Sequence, residues 1–141
     1  MMIDPVALSL TDDIGFITVD SPPVNAINQS IRAGLKRTLE TAIDDADVKA
    51  ILLTCAGRTF AAGADLREFD EPIAAPGYHE VFGIMENSPK PVIVAMHGTA
   101  LGAGLEAALA CHYRCAADTS ARAYLASSAA SAARDSAGAC S

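Results

Sequence analysis

Residues 60–68 read FAAGADLRE and residues 98–106 read GTALGAGLE; we call them the first and the second motif. Each follows a continuous apolar run, AILLT at 50–54 and VIVAM at 92–96. Such runs are typical of strands that are covered on both faces. If these strands are neighbours in one parallel sheet, both motifs lie at its carboxyl edge, where open α/β sheets bind ligands. The sequence therefore predicts an α/β fold with a ligand site at that edge.

Both motifs are rich in glycine and alanine, which lets a ligand approach the main chain closely. Two backbone N–H groups directed at one point form an oxyanion hole, which stabilises charge on a carbonyl oxygen. An N–H that opens a helix also lies at the positive end of the helix dipole. Glycine-rich turns that only connect a strand to a helix have the same composition, so the structural alternative stays open from spacing alone.

The flanking segments predict one β-hairpin and three helices. The hairpin has strands at 7–10 and 14–19 around a turn at 11–13. The first predicted helix begins after Asn28, the second spans 77–86 and the third spans 105–111. In the first helix the apolar residues Ile31, Leu35 and Leu39 recur every four positions. Asn28 is the predicted N-cap, and the pattern places Arg32 on a polar side.

Composition limits the function classes. The chain has 141 residues, is 51% hydrophobic and carries a net charge of −7, which predicts one domain and excludes a nucleic-acid partner. Since no apolar run approaches membrane-spanning length and no signal peptide is recognisable, we expect no membrane partner and a cytoplasmic location. The four cysteines form no CxxC pair, so we expect buried free thiols and no metal site. Cys111 and Cys115 are four residues apart and fit one helical face.

The motifs also resemble those of a known family. The first motif, Pro89–Ile93 and the second motif follow one another as in the crotonase family of enoyl-CoA hydratases and isomerases. The strings SPPVNA at 21–26 and CHYR at 111–114 look most like the amino-terminal hydratase region of multifunctional β-oxidation enzymes. The resemblance implies the amino-terminal part of a crotonase (ClpP/crotonase-like) β-β-α spiral fold, left incomplete.

By this resemblance, the backbone N–H groups of Ala64 and Ala103 form the oxyanion hole for the thioester carbonyl of an acyl-CoA. The implied substrate and CoA site comprises Ala62, Gly63, Ala64, Asp65, Leu66, Arg67, Gly102 and Ala103. Arg67 is a candidate contact for the CoA phosphates, its alternative being a solvated loop charge. Coenzyme A enters as part of the substrate, and without a G-x-G-x-x-G fingerprint after a strand we expect no NAD.

Glu106 matches one of the two acid/base glutamates that hydratases use to hold and deprotonate water. Its neighbours Leu105, Ala107 and Ala108 are apolar, so we expect a partly desolvated carboxylate suited to proton transfer. The alternative is an ordinary glutamate on a helix surface. His97 and His112 have no acid or nucleophile at readable spacing and are expected to be packed or surface residues.

The resemblance covers residues 5–115, a partial enoyl-CoA hydratase/isomerase domain, and residues 116–141 form an Ala/Ser-rich tail. No Pro-Glu pair follows Glu106, although the family carries its second glutamate in such a motif. We therefore expect a truncated or frameshifted, disordered tail, and we expect hydration to be impaired. Resequencing the locus tests the frameshift. The alternatives are a non-catalytic acyl-CoA-binding or assembly fragment and a non-functional product. The intact family forms homo-oligomers, which we do not assume here.

Overall fold

A five-stranded sheet organises the chain in the computed structural model, which describes residues 3–117 and 122–124. Its strands, in spatial order, are β1 (Val6–Thr11), β2 (Ile14–Val19), β3 (Ala50–Cys55), β4 (Val92–Met96) and β6 (Tyr113–Ala116). Two short strands, β5 (Thr99–Leu101) and β7 (Arg122–Tyr124), pair in parallel outside this sheet. The helices are α1 (Gln29–Asp44), α2 (Tyr78–Glu86), α3 (Ala103–Ala110) and a short 3-10 helix, Leu66–Asp70. The predicted α/β class is confirmed.

The amino-terminal hairpin forms as the sequence predicts. Strands β1 and β2 are antiparallel, with Val6 opposite Val19 and Thr11 opposite Ile14. Asp12 in the connecting turn has a φ of 54°, a left-handed conformation that aspartate tolerates better than most residues. Ile17 and Val19 are buried, whereas Leu10 at the outer strand is exposed.

The remaining strands of the large sheet are parallel, and this places both motifs at one edge. Strand β3 pairs with β4 from Ile51 opposite Val92 to Leu53 opposite Val94. Because neighbouring parallel strands end on the same side, the chain leaves both at the same edge and enters the two motifs there. This part of the sequence-based prediction is confirmed.

Helix α1 covers the sheet with the predicted apolar stripe. The side chain of Asn28 accepts a hydrogen bond from the N–H of Ile31 at 3.0 Å, which confirms the N-cap. Ile31, Leu35 and Leu39 are buried. The prediction for Arg32 is wrong, since its side chain is fully buried. A buried guanidinium needs acceptors for its donors, and these come from a segment far away in sequence.

Three local predictions need correction. Helix α3 begins at Ala103 rather than 105 and ends at Ala110, and the short strand β5 lies inside the second motif. Cys111 caps the end of α3 while Cys115 lies in β6, so the two do not share a helical face. Cys55 and Cys111 are buried free thiols as expected, but Cys115 is disulfide-bonded.

The predicted tail at 116–141 falls mostly outside the described residues. Its described part contains Ala116, the last residue of β6, and strand β7. In the described portion of the chain, no helix combines the length and apolar character needed to cross a bilayer.

The two buried thiols lead to a reactivity prediction. Burial raises the pKa of both Cys55 and Cys111 to about 12. At pH 8 only about one thiol in 10⁴ is then the reactive thiolate. We expect iodoacetamide at pH 8 to leave both residues unmodified in the folded chain and to label both in urea, as read by peptide mass spectrometry. Rapid native labelling of either thiol would show that its surroundings are open to solvent.

Candidate active site

Two backbone hydrogen bonds hold the first and second motifs side by side. The N–H of Ala61 donates to the carbonyl of Thr99 at 3.2 Å, and the N–H of Leu101 donates to the carbonyl of Ala61 at 3.0 Å. They make a parallel bridge that pairs Ala61 with Ala100. Ala64 lies three residues beyond Ala61, and Ala103 lies three residues beyond Ala100. The predicted pair of N–H donors therefore starts from a common register.

Beyond this bridge, the two main chains stay in contact through glycines. A methyl group on Gly63 would lie 3.3 Å from the carbonyl oxygen of Leu101 and 4.0 Å from the Cα of Gly102. Gly63 has a φ of 109° and Gly102 a φ of 46°. Both values lie in the region that glycine adopts without steric cost, which explains why glycine stands at the two bends.

The donors themselves are free to bind a ligand. Within residues 3–117 and 122–124, no group accepts a hydrogen bond from the N–H of Ala64 or of Ala103. Ala103 is the first residue of α3, where the helix supplies no intrahelical acceptor and the dipole is positive. This combination suits an oxygen that gains negative charge.

Both alanines line one cleft of about 500 Å³ beside α2 and α3. The lining residues are Ala64, Phe69, Ile73, Gly77, Tyr78, His79, Glu80, Phe82, Ala103 and Glu106. The structure thus brings together the three residues that the resemblance assigned to chemistry, Ala64, Ala103 and Glu106. The aromatic and aliphatic wall fits an apolar ligand segment.

Glu106 faces this cleft, but the expected desolvation is wrong. Leu105, Ala107 and Ala108 are buried on the inner side of α3, whereas the Glu106 side chain is exposed. Apolar neighbours in sequence point to another side of a helix, so they do not cover the carboxylate. Glu106 lies in the first turn of α3, where the helix dipole favours a negative charge.

Asp65 and Arg67 form a compact ion pair in the first motif. The guanidinium donates from Nε to Oδ1 of Asp65 at 2.9 Å and from Nη2 to Oδ2 at 2.7 Å. Oδ1 also accepts from the N–H of Arg67 at 3.1 Å, which caps the 3-10 helix. The carboxylate of Asp65 is buried while 87% of the Arg67 side chain is exposed. Arg67 thus presents a positive charge to solvent from a fixed position.

This pair predicts a pH dependence. The hydrogen bond from the Arg67 side chain lowers the pKa of Asp65 from 3.8 to about 2. A carboxyl whose pKa is lower in the folded chain than in the unfolded chain stabilises the fold at any pH above its unfolded pKa. That contribution is lost as the pH falls from about 4 to 2. We expect Arg67→Ala to be less stable than the unmodified chain at pH 7, with the difference shrinking toward pH 2. Urea unfolding across that range measures this, and a constant difference would contradict the coupling.

The remaining predicted site residues are distributed around the cleft. Ala62 does not line it; that residue borders a separate groove with Val24, Arg58 and Thr99. Leu66 is 77% exposed on the outside of the 3-10 helix. Their assignment to the CoA site stays a prediction.

The sequence-based reading missed two sets of residues. The cleft wall from α2 and the segment before it, with Tyr78 and Phe82, lacks any motif that marks it. Asn25 was quoted only as part of a family string, yet it is buried and its amide group binds four backbone positions. The available signal was an asparagine, a residue that tolerates left-handed φ, two positions after the Pro22-Pro23 pair.

Comparisons with known proteins point to one family. The family model described as enoyl-CoA hydratase/isomerase matches residues 10–131, which extends past the predicted limit at 115. The peroxisomal bifunctional enzyme of Danio rerio is 40% identical over 103 residues, 73% of this chain and 14% of that protein. A Bacillus subtilis protein named "Probable enoyl-CoA hydratase" is 37% identical over 123 residues, 82% of this chain and 48% of that protein.

A solved structure extends the agreement to the backbone. The crystal structure of a probable enoyl-CoA hydratase from Mycobacterium thermoresistibile superposes with a TM-score of 0.75 at 32% identity. The match covers 82% of this chain and 51% of that one. The chain spans about half the length, or less, of the relatives that it matches. With the family model matching most of its residues, the chain belongs to the enoyl-CoA hydratase/isomerase family and has part of the crotonase fold.

Proposed function

We propose that this chain binds an acyl-CoA thioester of fatty-acid β-oxidation and holds its carbonyl oxygen with the N–H groups of Ala64 and Ala103. The observation that carries the proposal is that both N–H groups border one cleft and have no acceptor among the described residues. Two such donors stabilise the charge that develops on a thioester oxygen during enolate-type chemistry. The apolar wall around Tyr78 and Phe82 would receive the acyl group.

In this proposal Glu106 holds and deprotonates the water whose oxygen bonds to the β-carbon of the enoyl thioester, and the α-carbon then takes up a proton. It is a carboxylate in reach of the cleft, while the other cleft carboxylate, Glu80, is bound to Lys36 at 2.9 Å. Hydration by two carboxylates loses orders of magnitude in rate when one is missing. We therefore expect slow hydration of crotonyl-CoA by this chain alone.

The test uses a substitution that removes one donor and little else. Proline has no N–H, and the first position of a helix tolerates it because that N–H has no intrahelical partner. We expect Ala103→Pro to weaken acetoacetyl-CoA binding about tenfold, the effect of one lost hydrogen bond, and to leave the thermal unfolding curve nearly unchanged. Isothermal titration calorimetry measures the affinity.

The matched control is Ala103→Ser, which keeps the N–H and should bind normally. Coenzyme A without an acyl group is the control ligand, because it has no thioester carbonyl for the Ala103 N–H to bind. Equal acetoacetyl-CoA affinity of the proline and serine variants would contradict a role for the Ala103 N–H. Absence of saturable binding by the unmodified chain would contradict the proposed function as a whole.

A second candidate is binding of acyl-CoA without turnover. The exposure of Glu106 favours it, since an exposed carboxylate is hydrated and is not fixed against a ligand by surrounding side chains. Saturable acetoacetyl-CoA binding together with crotonyl-CoA hydration that Glu106→Gln leaves unchanged would support this candidate. Loss of measurable hydration in that variant would support the enzyme.

Location and assembly remain proposals. We propose a cytoplasmic chain, although relatives named peroxisomal bifunctional enzymes are among those matched. Fractionation of cells that express the chain tests the location. Sedimentation of the purified chain tests whether it forms the homo-oligomers of the intact family.

A further inference from the structure

Arg32 is the largest fully buried side chain of the described residues, and most of its contacts reach one part of the site. Nε donates to Pro76 O at 2.8 Å, Nη2 to Ala74 O at 3.1 Å, and Nη1 to Glu68 Oε2 at 2.8 Å and to Ile27 O at 3.4 Å. The guanidinium also lies 4.5 Å from the centre of the Tyr78 ring. One side chain of α1 therefore fixes the segment 68–78, which forms one wall of the cleft.

The same network reaches the first motif through Ile27. The carbonyl of Ile27 accepts from the Tyr78 hydroxyl at 2.9 Å as well as from Arg32. Burial raises the pKa of Tyr78, so its hydroxyl stays protonated and donates. The N–H of Ile27 donates to the carbonyl of Gly63 at 2.7 Å. Ile27 thus connects the buried cation to the peptide group that precedes Ala64.

That peptide group includes the Ala64 N–H. A peptide unit is planar and trans, so its N–H points opposite to its carbonyl. The hydrogen bond from Ile27 to the Gly63 carbonyl therefore determines the direction in which the Ala64 N–H points. A rotation of this one peptide would turn the donor away from the cleft.

We propose that Arg32 and Tyr78 are positioning residues of the acyl-CoA site, which orient the Ala64 N–H through Ile27 and fix the cleft wall at 68–78. Neither is assigned to proton transfer or to the oxyanion. The inference rests on the proposed function for its ligand. The hydrogen-bonded connection from Tyr78 through Ile27 to the Gly63 carbonyl is testable without a ligand. A lysine at position 32 would keep the charge yet lack the planar fork that serves several acceptors.

The first test is Tyr78→Phe, which removes only the hydroxyl that binds Ile27 and keeps the ring beside Arg32. Without ligand, we expect amide hydrogen exchange of Ile27 to accelerate about tenfold, as read by NMR. With butyryl-CoA labelled with ¹³C at the thioester carbonyl, we expect binding about tenfold weaker and a C=O stretching frequency shifted toward that of the free ligand. The frequency reports carbonyl polarisation, which a merely structural loss of stability does not move.

Arg32→Lys keeps the positive charge and tests the planar guanidinium fork, and it should shift the same two signals in the same direction. The matched control is Arg37→Met, on the same helix, where the arginine contacts Val6 and Asp4 and none of the network residues. It should leave both signals unchanged. The inference is overturned, while the proposed function stands, by one result. In that result, bound butyryl-CoA shows the same shift of its carbonyl frequency in Tyr78→Phe and Arg32→Lys as in the unmodified chain. If the unmodified chain fails to bind butyryl-CoA, the proposed function falls, and unchanged Ile27 exchange in Tyr78→Phe would then overturn the hydrogen-bonded connection too.

Discussion

Gly104→Ala should weaken acetoacetyl-CoA binding roughly a hundredfold, because it separates the two N–H donors. A methyl group at Gly104 would lie 2.6 Å from both the carbonyl oxygen and the Cβ of Ala61. Because backbone atoms cannot rotate aside as a flexible side chain does, α3 and the first motif must move apart by about 1 Å. Active sites tolerate a displacement of this size poorly. Calorimetric titration measures the loss. Overpacking should also cost roughly 1–3 kcal/mol of stability, partly offset by the helix preference of alanine.

The matched control is Gly83→Ala in α2, where an added methyl group meets nothing within 4 Å. Here only the helix preference acts, and we expect a gain of roughly 0.5–1 kcal/mol in unfolding free energy and unchanged binding. If Gly104→Ala binds acetoacetyl-CoA as tightly as Gly83→Ala, the close packing of the two motifs does not determine the donor geometry.

Strands β1 to β4 and the main helix were predictable because their signals are local, whereas β5, β6 and β7 were not predicted. The apolar run at 50–54, the Asn28 cap and the Ile31 stripe each act within a few residues, and each element formed where the sequence placed it. The parallel pairing of β3 and β4 then followed from the strand–helix order. From these elements alone, the meeting of both motifs at one sheet edge could be anticipated.

The interior of the site was harder to predict because its contacts are long-range. Arg32 reads as a surface residue in any helical pattern, and its burial depends on carbonyls more than 40 positions away, those of Ala74 and Pro76. The cleft wall around Tyr78 likewise carries no motif. Glu106 shows the opposite error, since apolar neighbours in sequence do not cover a residue that a helix turns outward.

Asn25→Ala should destabilise the fold by about 3–4 kcal/mol, because it removes a buried amide that organises the approach to the first motif. Nδ2 lies within 2.8 to 3.1 Å of the carbonyls of Ala56, Thr59 and Phe60, and Oδ1 accepts from the N–H of Ser21 at 2.8 Å. These backbone groups would lose partners in a buried place. Asn25 also has a φ of 51°, which costs alanine more than asparagine. Urea unfolding measures the change.

Asn87→Ala is the matched control, since that amide makes one exposed hydrogen bond, to Gly83 at 2.9 Å. Water replaces an exposed partner, so we expect a loss of only about 0.5 kcal/mol. The three carbonyls that Asn25 holds extend from the end of β3 to the first residue of the first motif, so their release should also loosen Ala64. Acetoacetyl-CoA affinity of Asn25→Ala, measured where the variant is still folded, separates the two effects. Normal affinity there would mean that Asn25 stabilises the fold without positioning the donor loop.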